Sequence, residues 1–74
     1  MVTVKVVDKQ KGQPVKGARV SLYISGFLTG GVTQAQYTDD SGEASFDYDS
    51  ASIVYVNGQE AKKGSLRGLV VVNI

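Results

Sequence analysis

An alternation with a period of two runs through this chain and limits what it can become. Residues 2–7, VTVKVV, put Val2, Val4 and Val6 on one side and Thr3, Lys5 and Val7 on the other. Residues 18–24, ARVSLYI, set Ala18, Val20, Leu22 and Ile24 against Arg19, Ser21 and Tyr23. Successive side chains of an extended strand point to opposite faces, so this pattern buries one face of a sheet. A helix would need apolar residues three and four apart, and that spacing is absent. The abundance of β-branched residues agrees with strands. The same reading gives strands at about 32–38, 43–48, 52–57 and 66–74. Within 52–57, either Val54 and Val56 or Ile53 and Tyr55 face inward. Within 66–74, either Leu69 and Val71 or their neighbours do.

The connections carry turn chemistry. DDSG at 39–42 offers Asp first and Gly last, as a type I turn followed by a bulge requires. Asn57-Gly58 is a tight-turn pair. SGFLTGG at 25–31 reads as a longer loop, and Gly64 and Gly68 flank a further connection. In QPVKGARVSLY, 13–23, Pro14 cannot donate to a ladder and marks the approach to a strand or an edge. Gly17 permits a backbone angle that other residues resist, and Ala18 is small enough for the first inward position. Turn signals spaced this closely between short strands predict an all-β sandwich or open barrel. No internal repeat, low-complexity segment or linker interrupts the chain.

Composition removes several functions. The 74 residues make at most one domain, with a thin core. At 42% apolar and 20% charged residues, the chain suits a folded domain better than a disordered one. A net charge of +1 gives no electrostatic reason to expect nucleic acid or an anionic membrane as partner. With no Cys, disulfides and thiolate metal sites are excluded. With no His, the commonest general base and metal ligand is missing as well. Met1 is followed by VTVKVVDKQ, not by a basic and then an apolar region, so no signal peptide is read. No apolar run approaches the roughly 20 residues that span a bilayer.

Two stretches together resemble a known family. VKVVDKQKGQPVKGARVSLY followed by YTDDSGEASF is similar to the carboxypeptidase regulatory-like and collagen-adhesin B-type domains. The residues that carry the likeness are Asp8, Gly12, Pro14, Val15, Gly17, Ala18, Val20 and Leu22, then Thr38, Asp39, Gly42, Ala44 and Phe46. The resemblance implies a small Greek-key β-sandwich of about seven strands with transthyretin-like topology. It also implies an accessory domain of a larger protein, often extracellular or at the cell surface. Some collagen-adhesin B-type domains form an internal amide between a Lys on the first strand and an Asn on the last, assisted by a buried acid. Lys5, Asn73 and Glu43 are the nearest equivalents here. Val6 occupies the position of the family's Lys, however, and Lys5 and Glu43 fall on the outward side of their strands. Hydroxyisourate hydrolases of transthyretin-like fold depend on histidines and a tyrosine-containing C-terminal motif, whereas this chain ends VVVNI.

The remaining chemistry is sparse. Asp39, Asp40, Ser41 and Glu43 invite a calcium site, with Asp47 and Asp49 as further ligands. The alternating twelve-residue spacing of an EF-hand is absent, and Asx chemistry in a tight turn explains the cluster more simply. GFLTGG has no following helix and no Lys, which argues against a phosphate-binding loop. Nothing resembles a nucleophile elbow or a Ser-x-x-Lys arrangement. Tyr23, Tyr37, Tyr48 and Tyr55 lie in strands, where an exposed row would stack sugars or anchor a protein. Their simpler role is to cover the second face of a thin sheet. Phe27 and Leu28, in a glycine-flanked loop, are either a lid over the core or a binding knob. The expectation is a non-catalytic structural or protein-interaction module without cofactor. Its partner is a protein or a neighbouring domain, and its candidate surface is Phe27, Leu28, Tyr23 and Tyr37. A carbohydrate-binding module using exposed tyrosines is the alternative.

Overall fold

The computed structural model describes residues 1–25 and 31–74, which form nine strands and no helix. They are β1 (Val2–Asp8), β2 (Gln13–Pro14), β3 (Arg19–Ile24), β4 (Gly31–Val32), β5 (Gln36–Tyr37), β6 (Glu43–Phe46), β7 (Ala51–Val56), β8 (Gln59–Leu66) and β9 (Gly68–Asn73). In the first sheet β1 is central. The parallel strand β9 lies along one side of it, and β6 and β2, both antiparallel, share the other. In the second sheet β3 pairs with β7, which pairs with β8, and the far side of β3 takes β5 and β4.

Cross-strand register carries the alternation into a single core. Val2, Val4 and Val6 lie level with Gly68, Val70 and Val72 of β9, and Val4 is opposite Ala44 of β6. Val20 and Leu22 lie opposite Val56 and Val54. All of these apart from Gly68 are buried, and they join Ala18, Ile24, Phe46, Ala51 and Leu66 in one cluster fed by both sheets. Burying a side chain of this kind contributes about 1.5–3 kcal/mol, so alternation on this scale favours two sheets closing on each other. The inward residues of β7 are therefore Val54 and Val56. Those of β9 are Val70 and Val72, the neighbours of Leu69 and Val71.

The turns form as their residues require. Asn57 and Gly58 both have positive φ, 53° and 84°, the signature of a two-residue hairpin turn between β7 and β8. At 39–42 the Asp39 carboxylate accepts the amides of Ser41 at 2.9 Å and Glu43 at 3.0 Å, and the Gly42 amide donates to the Asp39 carbonyl at 2.9 Å. Gly42 then meets the gap between β6 and β2. The Val6 amide donates to its carbonyl at 2.8 Å, while the Val6 carbonyl accepts the amide of Val15 at 2.9 Å. A Cβ on Gly42 would stand 2.7 Å from the Val6 carbonyl oxygen and 2.8 Å from the Pro14 Cβ.

The strand count of about seven needs correcting. β4 and β5 are two pieces of the course expected at 32–38. The register sets Tyr23 opposite Val32 and Val20 opposite Gln36, so residues 33–35 face only Ser21 and Leu22. The extra residue makes a bulge, and the Thr33 hydroxyl accepts the Leu22 amide at 3.1 Å in place of a ladder carbonyl. β2 is a two-residue contact of Pro14 with Val7 at the edge. β8 occupies the segment read as a connection around Gly64. Its residues are exposed except Leu66, so no alternation marks it, and two register shifts against β7 bend it.

Candidate functional site

The outer face of the second sheet brings large side chains together. Tyr23 lies between Val32 on β4 and Ile53 on β7, and Lys63 of β8 extends that row. In the next row Tyr55 lies between Ser21 and Glu60. Arg19 lies beside Tyr37. Residues directly opposite on one face hold their Cβ atoms about 4.5–5.5 Å apart, so each row is continuous. Val32 is 58% exposed and Tyr37 65% exposed, while Tyr23, Ile53 and Tyr55 are half-buried. Ser21 points the same way yet is only 8% exposed, as expected beneath larger neighbours. The Arg19 main chain is tied to the hairpin turn: its amide donates to Asn57 Oδ1 at 3.1 Å and its carbonyl accepts the Asn57 amide at 2.7 Å.

Two of the four candidate residues, Tyr23 and Tyr37, thus share one face. Phe27 and Leu28 lie outside the described residues. Tyr55, one of the four strand tyrosines, belongs to the same face, as do Val32 and Ile53, which the sequence does not mark as surface candidates. Their signal was the outward half of each alternating run, which carries aromatic and branched residues where a solvated strand would carry polar ones. Tyr48 lies elsewhere. It packs against the core and lines an open cleft of about 350 Å³ with Thr33, Gln34, Gln36, Ser45 and Asp47.

The other chemistry is dispersed. Asp40 forms an exposed ion pair with Lys16 at 2.8 Å, and Asp39 is engaged by backbone amides. Among the described residues no three acidic side chains converge as a metal site would require. Lys5 lies between Glu43 and Val71 in register, on the outer face of the first sheet, and Asn73 is level with Val7 on that face. No known protein family, curated protein or solved structure gives a significant match to this chain.

Proposed function

We propose that this protein is a non-catalytic interaction module that docks a protein partner, or a neighbouring domain, on the outer face of its second sheet. The observation that carries the reading is the continuous row Val32, Tyr23 and Ile53, flanked by Tyr55, Tyr37 and Arg19. Tyrosine and arginine supply large contact area with a polar tip, and they are enriched in protein interfaces. A sheet face meant only for water does better with charged and small polar side chains. We further propose a transthyretin-like Greek-key topology. The motif residues from Asp8 to Phe46 support it, as does the parallel pairing of the first and last strands.

Photo-crosslinking from position 37 tests the docking face, with exposed position 10, in the turn after β1, as control. The expected result is a defined protein crosslink from 37 and none from 10. Equal capture from both positions would overturn the assignment. Carbohydrate binding is the second reading, favoured by the cleft that Tyr48 lines together with Gln34, Gln36 and Asp47. Sugar titration followed by amide chemical shifts at 34, 36 and 47 decides it.

A further inference from the structure

The two strands on one side of the sandwich treat their open edges differently. β8 ends the second sheet with two register shifts and an inward lysine, devices that discourage further pairing. β9 ends the first sheet with neither. It runs level with β1 over six unbroken pairs, from Val2 with Gly68 to Val7 with Asn73. The Ile74 amide donates to the Val7 carbonyl at 2.9 Å, and the Ile74 carbonyl accepts the Lys9 amide at 2.9 Å. Backbone direction alternates along a strand, so Gly68, Val70 and Val72 also face β1, whereas Leu69, Val71 and Asn73 turn their amides and carbonyls to the open side. The Val71 carbonyl is met there by Lys62 Nζ at 3.4 Å.

We propose that the β9 edge receives an extended acidic segment of a partner protein as an added strand, at a surface separate from the tyrosine face. The side chains define the pattern of that segment. On the outer side the added strand would cover Leu69 and Val71, which are 60% and 40% exposed and call for apolar partners. On the inner side it would face Lys62, whose register opposite Val54 points it toward the first sheet. Arg67 leads into the strand, and Lys5 lies beside Val71. The acids close by are Glu60 in the cleft with Asn73 and Ile74, Glu43 on the far side of Lys5, and Asp8, whose carboxylate holds the amides of Gln10 and Lys11. Lys62 Nζ is the charge that reaches the Val71 carbonyl on this edge, so alternating acidic and apolar residues complement it, and a second copy of β9 would bring two Lys62 ammonium groups together.

The probe is acetyl-EVEVEVE-amide, titrated into the isotope-labelled protein, with acetyl-KVKVKVK-amide as control. The acidic peptide should shift and slow the exchange of the Leu69, Val71 and Asn73 amides, leave Val70 and Val72 largely unmoved, and bind more weakly as salt is added. Lys62→Glu should weaken it about tenfold, the size of one charge-assisted contact, and Lys62→Met by less. Equal binding of the two peptides, shifts confined to other strands, or no shifts would overturn the proposal. So would protection of those three amides that grows with protein concentration alone, which would make the occupant a second copy.

Discussion

Thr38 and Ala18 hold each other by two hydrogen bonds. The Thr38 amide donates to the Ala18 carbonyl at 3.0 Å, and the Thr38 hydroxyl accepts the Ala18 amide at 2.9 Å. The same hydroxyl donates to the Val15 carbonyl, and the Gly17 amide donates to the Thr38 carbonyl at 2.9 Å. One buried side chain therefore fixes the whole entry of the chain into β3. Thr38→Val keeps the shape and removes the hydroxyl, leaving an amide and a carbonyl without their partner. It should cost about 1–3 kcal/mol in urea unfolding, with Thr38→Ser recovering most of it. A Thr38→Val protein as stable as the parent would refute this role.

Gly17 and Gly42 share a backbone conformation, with φ of 78° and 77°, but differ in surroundings. A Cβ at Gly17 meets nothing within 4 Å, while one at Gly42 collides with Val6 and Pro14. Gly17→Ala should cost about 1–2 kcal/mol, the strain of a left-handed residue. Gly42→Ala should cost a further ~1–3 kcal/mol for overpacking, since backbone must move. Equal losses in denaturant titrations would show that β2 and β6 do not meet there.

Val71 and Val72 test the parity of the last strand. Val72 is 2% exposed and Val71 40%. Val72→Ala should lose about 2–3 kcal/mol by transfer and cavity terms. Val71→Ala should lose no more than about 1 kcal/mol. Thermal or denaturant melts of the two variants decide it, and the reverse order would mean that β9 faces the other way.

Asp39 and Asp40 are adjacent but unequal. Asp39→Ala removes the acceptor of two backbone amides and should cost about 1 kcal/mol. Asp40→Ala removes an exposed ion pair and should change stability by less than about 0.5 kcal/mol. Equal losses on denaturant titration would mean that the turn does not depend on the Asp39 carboxylate.

The sequence made legible whatever depends on local pattern. Val2, Val4, Val6, Val20 and Leu22 announced their burial by alternation alone, and Asn57-Gly58 announced its turn by the angles it tolerates. What depended on distant partners stayed hidden. The parity of Val70 and Val72 is set by the level of β9 against β1, and an unbroken apolar run has no alternation of its own to reveal it. β8 leaves no trace in the sequence, because QEAKKGSL buries only Leu66 and is held in the sheet by the hairpin before it. The bulge at Thr33 leaves none either, because a threonine hydroxyl that stands in for a ladder carbonyl looks like any strand threonine. The outward position of Tyr23 follows from the alternation of its own strand, and Tyr37 joins that face through its pairing with Arg19. The continuation of the face through Val32, Ile53 and Tyr55 depends on the pairing of β3 with β4 and β7.

Hydroxyl-radical footprinting bears most directly on the docking face. The protein is labelled alone and again with the partner that the position-37 crosslinker captures. Tyr23, Val32 and Tyr37 should lose reactivity on binding, while Met1 and Phe46 stay as they were. Protection confined to the first sheet, with Tyr37 equally reactive in both states, would contradict the account.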